Sequence, residues 1–170
     1  VEEATIAAYS LALKISAFSG FIHTSLSIPL VPKIAEKHFQ GRFSELDDIF
    51  SSTRRRMLHL TLLLGGLLIL AAPLILRAFD RSFAGAWAPL VLLVLTQVIF
   101  AATGPLANYL VMTGHEGPCA FILGASILII LTLQVVLIPL MGVMGAATAH
   151  LAGFTLQRLL MEAYRRRVRP

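Results

Sequence analysis

Charged residues are nearly absent between Arg81 and Arg158 of this 170-residue chain. Residues 82–115 and 117–157 contain no Asp, Glu, Lys or Arg, and only Glu116 separates the two stretches. Over the whole chain 14% of residues are charged, whereas an ordinary soluble domain has about 25%. A membrane-spanning helix needs about 20 mostly apolar residues. These long uncharged runs argue against a soluble fold and predict an all-α polytopic membrane protein.

The residue patterns of enzyme active sites are also missing. Cys119 is the single cysteine, so one chain can form neither a disulfide nor a thiolate metal site. The sequence has no phosphate-binding loop, nucleophile elbow or dinucleotide-binding glycine motif, and its five histidines lack metal-ligand spacing. We therefore predict no enzyme activity, catalytic residue, metal site or cofactor. The net charge of +5 does not indicate nucleic acid, because the basic residues cluster just outside apolar segments.

Apolar segments predict five membrane spans, at about 5–31, 57–76, 84–112, 119–140 and 143–164. The loop after the first span and the C-terminal tail carry most of the lysines and arginines. The positive-inside rule places such basic segments in the cytoplasm, so we expect a cytoplasmic C-terminus and an outside N-terminus. An odd number of spans with this orientation leads us to expect a fragment of a longer protein with further helices upstream.

The cytoplasmic loop at 33–56 is predicted to contain a short amphipathic helix. Ser44 can cap its N-terminus, acidic residues follow in the first turn, and Arg54–Arg56 lie at the far end, as the helix dipole favours. Its apolar face comprises Phe43, Leu46, Ile49 and Phe50. The helix either lies on the membrane surface or packs against a neighbouring cytoplasmic loop.

The first span contains a lysine and a polar stripe. A lysine at mid-membrane costs about 2.5–3.5 kcal/mol on insertion scales, so Lys14 either faces a cavity that attracts an anionic substrate or extends to the outer surface. Ser16, Ser19, His23 and Ser27 recur at helical spacing, and such a stripe does not face lipid comfortably. The stripe lines a cavity or bonds to neighbouring helices, and it lies nearly opposite Lys14 around the helix.

The third span also carries amides on one face. Gln97, Ala101, Gly104 and Asn108 recur at helical spacing, and Pro105 removes a backbone donor, which predicts a kinked or loosened helix. This face is either a cavity wall or a set of interhelical hydrogen bonds.

Small residues line the start of the fifth span. Gly142, Ala146, Ala149 and Gly153 form a face suited to close helix packing. We interpret His150 as a packed or hydrogen-bonded histidine, with a proton-coupling role as the alternative.

Four short segments, in this order and spacing, resemble the C-terminal half of a transporter family, the polysaccharide-biosynthesis (oligosaccharide) flippases. This family belongs to the multidrug/oligosaccharidyl-lipid/polysaccharide exporter superfamily. The segments are Ala8–Ala12, Pro29–Ala35, Gly104–Gly114 and Leu137–Ala147. The resemblance covers essentially the whole chain, with one departure at Gln134, where the family often has another amide, Asn.

The resemblance implies a transporter of about twelve to fourteen helices in two lobes, of which this chain forms part of the second. Such proteins flip a polyprenyl-diphosphate-linked oligosaccharide across the bacterial cytoplasmic membrane by alternating access. The implied partners are this lipid-linked oligosaccharide, membrane lipid and the N-terminal lobe of the same chain. The candidate cavity residues are Lys14, Ser16, Ser19, His23, Gln97 and Asn108.

Other functions also fit a polytopic membrane protein. A peptidoglycan-precursor flippase and a multidrug or cation antiporter belong to the same superfamily, and a non-transport scaffold of polysaccharide assembly is a further alternative. An exporter of organic cations favours an acid inside the cavity. The five predicted spans offer none apart from Glu162, near the cytoplasmic end.

Overall fold

The computed structural model describes residues 2–79 and 87–168, with side chains placed at 9–14, 16–17, 20–74 and 87–168. Every regular element in this part of the chain is an α-helix. The helices are α1 (Glu2–Ser27), α2 (Leu30–Phe39), α3 (Phe43–Phe79), α4 (Trp87–Thr103), α5 (Leu106–Met112), α6 (Glu116–Met141) and α7 (Val143–Val168).

Three segments of the described chain are long and apolar enough to cross a membrane: Phe43–Leu74, Trp87–Met112 and Glu116–Met141. Together with the all-helical fold, they confirm the prediction of an all-α polytopic membrane protein. The predicted first and fifth spans, 5–31 and 143–164, fall on α1 and α7, which pack against the other helices but are not among these three segments. The number of five spans stays a prediction.

The predicted loop at 33–56 is largely helical. Its first part belongs to α2, and α3 begins at Phe43 and runs without interruption to Phe79. The predicted short helix is therefore the first part of α3, and Ser44 lies inside that helix rather than at its cap. The prediction of a separate helix was wrong because arginine favours helix, so Arg54–Arg56 do not end it.

The apolar face of this part of α3 packs against protein. Leu46 and Phe50 are both buried in a cluster with residues of α2, α5, α6 and α7. Of the two alternatives for this amphipathic segment, the structure therefore shows packing against neighbouring helices.

The third predicted span is broken where the sequence predicts a kink. α4 ends at Thr103, Gly104 adopts a positive φ of 76°, and α5 begins after Pro105. A Cβ placed on Gly104 would lie 3.2 Å from the Arg54 Cβ, so both backbone conformation and space favour glycine here.

α6 and α7 form an antiparallel hairpin joined by Gly142, whose φ is 57°. Gly145 lies against the Leu137 backbone, and Gly153 lies against the side chain of Ile130. A Cβ on either glycine would overlap these atoms. Of the four small residues predicted to pack closely, Gly153 is therefore confirmed in that role against α6, and Gly145, which was not among them, packs closely as well.

Two apolar clusters lie at opposite ends of the bundle, with α4 at its centre in contact with α1, α3 and α7. The first cluster is Ala12, Ala72, Leu90, Leu93 and Val94. The second is Leu30, Ile34, Leu46, Phe50, Leu106, Tyr109, Leu110, Cys119 and Met161. We call the end that holds the second cluster the basic end, because α2, the start of α3 and the arginine-rich end of α7 meet there.

Candidate functional site: a buried arginine in an aromatic column

A polar layer lies between the two apolar clusters. His23 of α1 is buried, and its Nε2 atom lies 3.0 Å from the Thr61 hydroxyl of α3, within hydrogen-bond distance. The His23 ring also stacks on Phe100 of α4, with 4.3 Å between ring centroids and an angle of 7° between planes. One histidine therefore joins three helices in the interior of the bundle.

Arg158 of α7 continues this stack. Its guanidinium carbon lies 3.8 Å from the Phe100 ring centroid and 4.8 Å from that of Phe154. Phe100 and Phe154 also stack on each other, with ring centroids 6.0 Å apart, so the Arg158 guanidinium contacts both rings of one stacked pair. His150 stacks in turn on Phe154, with ring centroids 5.9 Å apart. We call these five side chains the aromatic column; they run from α1 through α4 to α7.

The charge of Arg158 is buried without an anion beside it. The residue is 6% exposed, and its Nε and Nη1 groups have no hydrogen-bond partner within the described part of the chain. None of the ion pairs between described residues includes it. Contact with aromatic faces stabilises a desolvated cation by about 2 kcal/mol, which offsets only part of the cost of burying a charge. An anionic group would satisfy both the charge and the unused donors.

A cavity of about 340 Å³ opens beside the column. His23 and Phe100 of the column line it, together with Ser27 and Asn108. Arg158 does not line this cavity, but its guanidinium carbon lies 3.8 Å from the ring centroid of Phe100, which does. At an effective dielectric of about 20, a unit charge stabilises an anion by about 4 kcal/mol at 4 Å and by about half as much at twice that distance. The cavity therefore combines hydrogen-bonding groups with a positive potential.

The predicted polar stripe of α1 faces the interior of the bundle. Ser16 is buried and donates a hydrogen bond to the Leu13 carbonyl, and Ser27 is buried beside the cavity. The side chain of Ser19 lies outside the described residues. Gln97 is half-buried on α4, and a Cβ placed on Gly20 would lie 4.0 Å from its side-chain oxygen. Of the predicted cavity residues, His23 and Asn108 thus line the same cavity.

Lys14 lies elsewhere. It is exposed and borders a separate groove of about 560 Å³ between α1 and α3, whose other lining residues are the apolar Ala17, Phe21, Ile22 and Leu64. The prediction that Lys14 lies opposite the polar stripe is confirmed, because Ser16 is buried and Lys14 is exposed. Lys14 and the aromatic column do not form one site.

Arg158 is the residue that the sequence analysis missed. The residue patterns considered there do not single it out, although it lies within the predicted fifth span, 143–164. The available signal was the spacing of His150, Phe154 and Arg158, which repeat every four residues and therefore share one helix face.

Ion pairs compensate some of the charges at the basic end. Arg165 and Arg166 each donate to the Glu162 carboxylate at 2.9 Å, and Arg165 lies 4.0 Å from Asp47. The hydrogen-bonded Glu162 carboxylate raises the pKa of the Arg165 guanidinium, so that side chain stays charged. Glu162, the one acid predicted within the fifth span, is therefore neutralised by two arginines.

Comparison of the chain with known protein families, with curated proteins and with solved structures finds no match. Fold and site together define a class: an all-α polytopic membrane protein with a buried arginine that has no ion-pair partner among the described residues.

Proposed function

We propose that this chain is part of a transporter that flips a polyprenyl-diphosphate-linked oligosaccharide across the bacterial cytoplasmic membrane by alternating access. The observation that carries the proposal is Arg158, a cation buried in the bundle without an anion among the described residues. Ionisable groups inside a membrane bundle are energetically unfavourable and therefore rare. Those that are present typically mark substrate or ion pathways. The sequence resemblance to oligosaccharide flippases supplies the substrate class.

The diphosphate is the part of such a substrate that Arg158 would attract. Its negative charges match the positive potential that the buried guanidinium places on the cavity. Ser27, Asn108 and His23 offer donors and acceptors that suit sugar hydroxyl groups. Each of these interactions would be moderate in strength. This suits a transporter that must release its substrate on the other side of the membrane.

The break between α4 and α5 supplies a place for movement. Asn108 lies on α5, whereas Phe100 lies on α4, so the Gly104–Pro105 break separates two residues that line the same cavity. A change of backbone angles at this break would move the amide relative to the aromatic column, as hinges do in alternating access.

An exporter of organic cations is the less favoured member of the superfamily. Such a protein needs a free interior carboxylate, and Glu162 is already paired with Arg165 and Arg166. The positive cavity beside Arg158 also repels cations.

The test is depletion of the full-length gene, followed by mass spectrometry of lipid-linked intermediates. We expect a polyprenyl-diphosphate oligosaccharide to accumulate. Accumulation of the peptidoglycan precursor would instead assign the related flippase activity. New sensitivity to cationic dyes without any accumulating lipid would contradict the proposal and indicate a drug exporter.

A further inference from the structure

A second cavity, of about 280 Å³, lies at the basic end, between the α1–α2 junction and α3. Lys33 of α2 and Arg56 of α3 line it, together with Ser52 and Thr53. The Ser52 hydroxyl donates to the Ile49 carbonyl, so the two cations and the Thr53 hydroxyl are the donors that suit a phosphate group.

The charges of Lys33 and Arg56 are available to a ligand. Both side chains are exposed, and neither takes part in the ion pairs found between described residues. Neighbouring basic residues differ, because Lys37 lies 3.2 Å from the Glu45 carboxylate and Arg42 pairs with the same acid. Only part of the positive charge in this region is therefore compensated within the protein.

The cavity also has an apolar side. Leu30 and Ile49 line it and belong to the second apolar cluster or pack against it, and Leu26 adds a third apolar side chain. In addition, α2 begins at this cavity after Pro29, with no side-chain cap, so the positive end of its helix dipole points there. A ligand that carries both a phosphate and a hydrocarbon chain fits these features better than a free anion.

A ligand of this kind is present in the membrane next to the cavity. α1 ends at Ser27, and Arg56 directly precedes the predicted second span, 57–76. The predicted span boundary thus puts the cavity at the level of the membrane surface, where phospholipid headgroups are found. Basic residues at this level attract anionic lipids by about 1 kcal/mol each.

We propose that this cavity binds an anionic phospholipid, with Lys33 and Arg56 on the phosphate and the start of an acyl chain against Leu30 and Ile49. The bound lipid joins α1, α2 and α3 at their junction. This inference stands on its own geometry and does not depend on the proposed transport activity.

The experiment uses the full-length protein in detergent, with binding of short-chain phosphatidylglycerol measured by native mass spectrometry. The test variant combines Lys33→Gln and Arg56→Gln. Its matched control combines Arg55→Gln and Arg167→Gln, which remove the same charge from exposed positions that do not line this cavity. We expect the test variant to lose tenfold or more in affinity, about 1.4 kcal/mol or more, while the control binds like the unmodified protein.

Two comparisons can overturn the inference. Equal loss of affinity in the test and control variants would show that diffuse surface charge, not the cavity, attracts the lipid. Equal binding of phosphatidylcholine and phosphatidylglycerol would show that no anionic lipid is selected. Excess inorganic phosphate should leave the lipid bound, because it lacks the acyl contacts; displacement by phosphate would indicate a free-anion site instead.

Discussion

At the residue scale, the polar stripe of α1 was predictable from the sequence, whereas the residues that His23 of this stripe contacts were not. The spacing of Ser16, His23 and Ser27 identifies one polar face of the helix, and contact between such a face and lipid is unfavourable. Spacing within one helix does not reveal which residues of other helices meet it, however. Thr61 and Phe100, the partners of His23, lie in segments where nothing in the sequence distinguishes them.

The hydrogen bond between His23 and Thr61 makes a testable contribution to stability. Thr61→Val keeps the shape of a fully buried side chain but leaves the histidine without this partner. We expect a loss of about 1–3 kcal/mol, measured as a lower Tm of the purified protein in detergent. Thr24→Val is the control, because Thr24 is exposed and bonds only to its own helix. Equal Tm values for the two variants would contradict a stabilising role of the His23–Thr61 bond.

At the element scale, hydropathy and proline located most helices but not their continuity. The positions of α6 and α7 follow the predicted spans closely, and the break at Pro105 follows from the missing backbone donor. The continuity of α3 was missed because charge content distinguishes loop from membrane span but does not end a helix. Residues 43–56 are far more polar than the rest of α3, but they continue the same helix.

The hairpin of α6 and α7 depends on close contact at Gly153. Gly153→Ala places a Cβ into the side chain of Ile130, and we expect such overpacking to cost about 1–3 kcal/mol. Gly124→Ala is the matched control, since a Cβ there meets nothing within 4 Å and alanine favours helix. Thermal unfolding should show a lower Tm for the first variant and an unchanged or higher Tm for the second.

A second substitution separates crowding from other effects. Ile130→Ala removes the atoms that the new Cβ meets, so it should cost less in the Gly153→Ala background than in the unmodified protein. Additive effects of the two substitutions would argue against direct contact between these positions.

At the scale of the whole molecule, the two basic segments of the chain lie at one end of the bundle. The contact between Arg165 and Asp47 joins the end of α7 to the start of α3. The positive-inside rule predicted that both segments face the same side, and their common position agrees with it. The predicted spans put four crossings between the two segments, and this even number predicts that they lie at the same end.

Which side the basic end faces is a prediction that labelling can test. In a Cys119→Ser background, Gln40→Cys places a thiol at the basic end and Met141→Cys places one at the opposite end. We expect a membrane-impermeant maleimide to label position 141 in intact cells, and position 40 only after the cells are permeabilised. The reverse pattern would place the C-terminus outside and contradict the predicted orientation.

The buried charge of Arg158 is the central feature of the proposed transport site, and its variants test it most directly. The full-length protein with Arg158→Gln, Arg158→Lys or Arg167→Gln would replace the original in a depletion strain, at matched membrane levels. Mass spectrometry would then measure the accumulated lipid-linked oligosaccharide. Loss of the nearby positive charge removes about 2 kcal/mol of stabilisation of an anion in the cavity, so flux should fall about tenfold or more in Arg158→Gln.

We expect Arg158→Gln to accumulate the lipid intermediate as the depleted strain does, and Arg158→Lys to accumulate less because it keeps the charge. Arg167→Gln removes an exposed charge from the same helix and should resemble the unmodified protein. A normal lipid profile for Arg158→Gln would contradict the account, because transport would then not need the buried cation.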